Sequence, residues 1–275
     1  GLITVLRGGT RPRRALHPAR PCHRGGAKHW SVPPVMSQHQ LLDSLNHRDL
    51  RVRTDSAAEL GDCVMACLLM PAEFRQAQAH FPILFRRDQA SGAFSAVALF
   101  GFENGENLFL EDGHWDAGYK PLAQAVQPFL IGRGVDGQPG GQVHIDMASP
   151  RILHDGEDGE ALFDAAGKPS PYLDLIAQRL GDLDAAYRAS ADFFAALVRH
   201  DLLEPFTIDV PLIDGSNNSL VGFHIVNEDR LQALDADALA DLHGAGHLMP
   251  LFMAVASVAQ FSELVARKNR RIAHG

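Results

Sequence analysis

Apolar and polar positions settle into regular patterns only after Met36. From Leu41 to Met70 the pattern is mixed. Pro71-Ala72-Glu73 then reads as a first helical turn, because proline lacks only a donor that would be unpaired there and the glutamate favours the positive end. A short helix to His80 is expected, followed by β-prone runs at Pro82 to Arg87, Phe94 to Phe102, Asn107 to Leu110 and Phe129 to Gly132. Clusters of Gly, Asn and Asp separate these runs, which predicts a meander of antiparallel strands, and Asn104-Gly105 and Asp112-Gly113 suit hairpin turns. Val143 to Met147 adds a further strand after a glycine-rich loop from Gly132 to Gly141.

Ser170 and Pro171 fit an N-cap followed by a first-turn proline. The apolar positions Leu173, Ile176, Leu180, Leu183, Tyr187, Phe194 and Leu197 then recur at steps that describe one long helix of roughly 40 Å, with Ser190 as the polar interruption. Its stripe is expected to pack across the sheet of the same chain; a coiled-coil dimer is the alternative use. Beyond Pro205, alternation of Phe206, Ile208, Val210 and Leu212 predicts a strand, and a second one should carry Val221, Phe223 and Ile225 on one face, the two joined as a hairpin by Asp214 to Asn218. An amphipathic helix near Asp235 to His243 and a nearly all-apolar one from Pro250 to about Arg270 complete the chain. The predicted class is α+β, an antiparallel sheet of short strands packed with one long central helix and C-terminal helices.

Charge changes this picture at the N-terminus. Residues 1–35 carry seven basic side chains and no acidic one, which leaves 18 basic against 33 acidic side chains in the rest. A body with that excess of negative charge repels nucleic-acid backbones and anionic lipid. The five prolines of residues 1–35 argue against an amphipathic transit helix. A leader that is disordered or not natively translated, with a single domain over 36–275, is expected. Cys63 and Cys67 have no second pair to make a zinc site or a disulfide framework, and both are expected as reduced core residues. The most apolar stretch, Met249 to Phe261, is shorter than the ~20 residues a membrane-crossing helix needs, so no membrane span is expected and the location is read as cytoplasmic.

Two constellations carry candidate chemistry. His144 and Asp146 alternate on a predicted strand, and with His224 or His200 they outline a two-histidine, one-carboxylate iron site of an oxygenase. No Walker, Rossmann or GxSxG fingerprint accompanies them, and no cofactor is assigned. The second constellation runs from Gly101 to Pro121, where aromatics, carboxylates and turns are densest. Glu106, Asn107, Trp115, Asp116 and Tyr119 are its ligand-binding candidates, offering aromatic walls with a few polar groups to a peptide or small molecule.

The same residues carry a family resemblance. Phe81-Pro82-Ile83-Leu84-Phe85, Gly105 to Phe109, Trp115-Asp116-Ala117-Gly118-Tyr119-Lys120-Pro121, Leu162-Phe163-Asp164, Gly167 to Leu173 and Gly222 to Glu228 together resemble the SapC family, in order from about His47 to Leu264. The resemblance implies no established reaction. It implies an accessory role beside flavin-dependent halogenase-like or cupin-like partners in a bacterial modification or uptake system, and the family name adds a surface-layer association. Where relatives carry a basic pair, this chain has Ala125-Val126-Gln127. The function expected is that of an accessory or binding protein, with the iron oxygenase and the surface-layer component as alternatives.

Overall fold

The computed structural model describes residues 38–132, 141–154 and 158–274, so the expectations for the leader and for most of the loop from Gly132 to Gly141 lie outside the described residues. Where one meander was expected, several separate antiparallel sheets form. β1 (His39–Leu41), β9 (Gln142–Asp146) and β8 (Phe129–Gly132) make one sheet in the order β1-β9-β8. β2 (Arg51–Val52) lies between β10 (Ile152–Leu153) and β11 (Glu160–Ala161).

The largest sheet has the order β12-β13-β4-β5-β3, built from β3 (Ala66–Leu69), β4 (Ile83–Arg87), β5 (Phe94–Leu99), β12 (Leu203–Pro211) and β13 (Asn217–Val226). β6 (Leu110–Glu111) and β7 (His114–Trp115) form only a small hairpin. It turns at Asp112 and Gly113, both at positive φ, the conformation that a tight hairpin turn requires. Residues 107–109 therefore bury their apolar side chains without joining a ladder, and Phe129 onward pairs in a different sheet from β4 and β5.

α3 (Pro171–Arg199) begins where the sequence predicts, with the Ser170 side chain accepting from the Leu173 amide. It bridges two cores. Leu173, Ile176 and Leu180 pack into a smaller core with Val52, Phe129 and Ile145, whereas Phe193, Ala196 and Leu197 enter the large core beneath the five-stranded sheet. Between these halves the helix spans a seam, and Tyr187 is 62% exposed despite sharing the stripe of apolar positions. The large core is rich in phenylalanine: Phe81 stands edge-on to Phe100 at 5.1 Å and to Phe109 at 4.8 Å. Each such ring contributes roughly 1.5–3 kcal/mol by burial.

The predicted hairpin of β12 and β13 forms, but Val221 does not share a face with Phe223. The pairing register shifts between Phe206 and Ile208, and Gly222 takes φ +83, so an inserted residue turns Val221 out to 65% exposure while Leu220 and Phe223 are buried.

At the C-terminus α5 (Ala236–Gly244) precedes α6 (Leu248–Ser257) and α7 (Gln260–His274), so the single last helix expected from Pro250 is divided near Val258. Taken as one run, Leu248–His274 is long and apolar enough by length and composition to cross a membrane, which a count ending at Phe261 missed. One face of the run belongs to the core: Leu251, Ala254, Ser257, Phe261 and Leu264 are buried, and the Ser257 hydroxyl accepts from the Ile83 amide of β4 at 2.9 Å. Met249 and Phe252, on the other face, are about half exposed. Cys67 is a free thiol whose burial pushes its pKa up to about 12. Cys63 is not among the free cysteines, which corrects the expectation of two reduced thiols.

Candidate anion-binding cavity

The structure gives the predicted site residues mostly internal work. Glu106 is 1% exposed; its carboxylate accepts from the Phe102 amide at 2.8 Å and from Lys268 Nζ of α7 at 2.5 Å. Asn107 is fully buried, donating to the Asp62 carbonyl and accepting from the Phe109 amide. Asp116 pairs with Arg267 at 2.6 Å, and that guanidinium also lies over the Phe109 ring at 4.5 Å. Trp115 Nε1 donates to the Tyr119 carbonyl at 2.7 Å, which closes the turn leading to Lys120. Trp115 and Asp116 border a shallow cavity of about 430 Å³ together with His80, Glu263 and Arg267.

The proposed iron ligands do not come together. His144 and Asp146 lie on β9, His224 on β13 of the five-stranded sheet, and His200 bonds Asp241 at 2.8 Å. Asp146 accepts from the amides of Gln38 and Ala148, while the His224 ring stands against Phe94. Among the described residues no group of three His, Cys, Asp or Glu side chains is placed to hold a metal ion.

On the far side of the Trp115 turn a different arrangement is built. Glu73, 4% exposed, ends a 3-10 turn at Pro71–Glu73 and accepts from the Met70 amide, the Tyr119 hydroxyl at 2.7 Å and the Leu122 amide at 2.8 Å. These bonds fix the segment from Tyr119 into α2 (Leu122–Ala125). From α2, Gln124 donates to Asp62 at 2.5 Å. Asp62 is fully buried and receives both a bidentate approach from Arg151 Nη2, at 2.7 and 2.6 Å, and the Ala57 amide. Arg151 Nη1 donates to the carbonyls of Arg53 and Asp55, and its Nε is buried without a partner. Asp62 precedes β3 of the large sheet and Arg151 leads into β10 beside the smaller core, so this pair joins the two halves.

Above the pair opens a cavity of about 370 Å³ whose lining includes Tyr119, Lys120, Gln124, Arg151, Tyr172 and Arg179. Tyr172 and Arg179 are two helical turns apart on α3 and so project from one side of it. Three cationic side chains line the space, and among the described residues no carboxylate does. Lys120 Nζ donates to the buried Ser56 hydroxyl at 2.9 Å and lies 5.5 Å from the Trp115 ring centre. No hydrogen bond or ion pair holds the Arg179 guanidinium among the described residues.

Burial lowers the Lys120 pKa; Asp62 opposes the shift, and the Arg151 and Arg179 charges add to it by smaller amounts. Burial raises the Tyr172 hydroxyl to about 12, so it stays protonated at neutral pH. Positive charge without a carboxylate partner on the wall of a half-open cavity favours an anion, since guanidinium and ammonium groups give their strongest hydrogen bonds to carboxylate or phosphate oxygens. Sequence inspection singled out Trp115 and Tyr119 but passed over Lys120, Arg151, Tyr172 and Arg179, which come from three segments that only the fold assembles. The one available signal was Arg179, a charged position beside the apolar stripe seven residues after Tyr172.

Fold and cavity define a mixed α+β protein with an aromatic, cation-lined pocket at the seam of two cores. The chain belongs to the SapC family, whose model matches residues 42–264. The Trp115 to Pro121 and Gly167 to Leu173 segments that carry the sequence resemblance supply Tyr119, Lys120 and Tyr172 to the cavity wall. No curated protein and no solved structure matches the chain.

Proposed function

We propose that the protein is a binding or accessory protein of a bacterial modification or uptake system, and that it holds a small anionic molecule between Lys120 and Arg179. The observation that carries this reading is the pair of cations Lys120 and Arg179 on a cavity wall where no described residue contributes a carboxylate, set in a chain of net charge -8. Lys120 and Arg179 are half-buried, and cations partly withdrawn from water without a carboxylate hydrogen-bonded to them are stabilised by an anionic ligand. Asp62 is hydrogen-bonded to Arg151 and Glu73 to Tyr119 and two amides, so neither carboxylate is hydrogen-bonded to Lys120 or Arg179, and Asp62 acts on Lys120 only through space. Tyr119 and Tyr172 provide apolar walls, and the volume suits a ligand of metabolite size. The accessory role follows the family resemblance and its halogenase-like and cupin-like companions.

The test is thermal unfolding with inorganic phosphate and a series of small carboxylates, each compared with its neutral amide at equal ionic strength. A ligand at 100 times its Kd should add about 2.7 kcal/mol of stability, which is roughly 5–11 °C in Tm for a domain of this size. Arg179→Met and Lys120→Met should abolish the shift. Equal shifts from acids and amides, or no shift from any anion, would remove this reading.

A further inference from the structure

We propose that Lys120 is a nucleophilic amine that condenses with the carbonyl carbon of a small 2-keto acid or anionic aldehyde anchored by Arg179, forming an imine. The inference rests on the anion-binding reading of the same cavity and adds a covalent step to it.

The chain has only four lysines, Lys28, Lys120, Lys168 and Lys268. Lys28 lies outside the described residues. Lys168 is on the surface, and Lys268 is held by Glu106 at 2.5 Å and Glu103 at 3.1 Å, which favours its charged form. Among the described lysines Lys120 alone faces this cavity, and its hydrogen-bond partner is a hydroxyl. A hydroxyl accepts from an ammonium group and equally donates to the lone pair of a neutral amine, so Ser56 supports either form. A carboxylate in that place would have fixed the charge. Burial, joined by the Arg151 and Arg179 charges and opposed by Asp62, lowers the Lys120 pKa and so raises the share of neutral amine, the form that attacks carbon. Lysine activated by desolvation beside a second cation is a known route to imine chemistry.

The cavity supplies the remaining groups. Arg179 has unused donors for the ligand's carboxylate, and Tyr172 carries a phenol that keeps its proton at neutral pH. The balance of the step is closed without an oxidant or a reductant. The Lys120 lone pair adds to the carbonyl carbon, the carbonyl oxygen takes up a proton and the nitrogen releases one, giving a carbinolamine. That hydroxyl then leaves as water with a proton from Tyr172, the nitrogen lone pair forms the C=N bond, and the remaining N–H proton is released to restore the phenol. Amine and carbonyl yield imine and one water.

The experiment exposes the full chain to pyruvate and, separately, to propanal, with sodium cyanoborohydride to fix any imine as a secondary amine, followed by intact mass and peptide mapping. With pyruvate the adduct should form on Lys120 at least about tenfold faster than on Lys168, a small part of what positioning beside a bound carbonyl provides. Arg179→Met should bring the pyruvate rate on Lys120 down toward that of Lys168, and by a clearly larger factor than it lowers the propanal rate, because both reactions lose its influence on the amine and only pyruvate loses a carboxylate anchor. Labelling of Lys168 as fast as Lys120, or indifference of the Lys120 rate to Arg179→Met, overturns the proposal. Lactate, which has the carboxylate and no carbonyl, separates the two readings in an unfolding assay without reductant. If lactate stabilises the protein and no Lys120 adduct forms, the covalent step falls and anion binding stands; if neither occurs, both fall.

Discussion

Replacement of Arg151 by methionine tests whether the Asp62 pair holds the two halves of the fold together. The change removes four hydrogen bonds: two from Nη2 to Asp62 at 2.7 and 2.6 Å, and two from Nη1 to the carbonyls of Arg53 and Asp55 at 3.1 and 3.0 Å. Those carbonyls belong to residues near the surface, where water replaces the donor at little cost. Asp62 is different. It is 0% exposed and would keep only Gln124 and the Ala57 amide around a full negative charge. Stranding one partner of a buried pair costs about 3–5 kcal/mol, and at roughly 2–4 °C per kcal/mol for a domain of this size the Tm should fall by about 6–20 °C. Scanning calorimetry gives the shift, and urea unfolding with an unchanged m-value would confirm that stability alone has changed. Adding Asp62→Asn removes the stranded charge and should return about 1–4 kcal/mol. A single-variant loss below about 1 kcal/mol, the range of an exposed pair, or no recovery in the double variant, would refute the argument that Asp62 is a buried charge dependent on Arg151.

Three further outcomes are expected. Lys268→Met should cost about 3 kcal/mol by leaving Glu106 buried without its cation, measured as a lowered urea midpoint. Burial alone would lower the Lys268 pKa, but Glu106 and Glu103 raise it above the ordinary 10.5, so the contribution of the pair is fully present below that value and is lost as pH rises through the raised one; the gap between wild type and variant should therefore hold at neutral pH and narrow only in strong alkali. Gly132→Ala should cost about 1–3 kcal/mol, because a Cβ there would lie 2.1 Å from His144 Nε2; an unchanged Tm would contradict the packing of β8 on β9. Anaerobic incubation with iron(II), zinc and manganese followed by elemental analysis should leave well under one metal per chain, since His144 and Asp146 are in a different sheet from His224; a retained equivalent lost on Asp146→Ala would restore the oxygenase alternative.

Local signals read correctly wherever a few neighbouring residues decide the backbone. Ser170-Pro171 starts α3 because a hydroxyl acceptor and a residue lacking an N–H suit a helix start wherever it lies. Asp112-Gly113 turns β6 into β7 because both residues tolerate positive φ. The errors came where distant segments compete. Phe94 and Phe129 begin equally β-prone runs, yet one pairs with β4 and the other with β9, a choice made by long-range pairing. Val221 was misplaced because Gly222 takes a left-handed conformation that shifts every later side chain by one face.

The same division governs the site. Glu106, Asn107 and Trp115 stand out in the sequence because they are dense and chemically varied, but density of polar groups does not show whether their bonds are spent inside the protein. The structure spends Glu106 on Lys268 and Asn107 on Asp62, and leaves Arg179 without a partner among the described residues. By itself the sequence determined the α+β class, the long helix, the closing hairpin, the acidic body and the family. Only the tertiary structure decided which charges cancel, because an ion pair such as Asp62 with Arg151 joins positions 89 residues apart and its partner is chosen by the packing of two cores, which no local pattern of residues encodes.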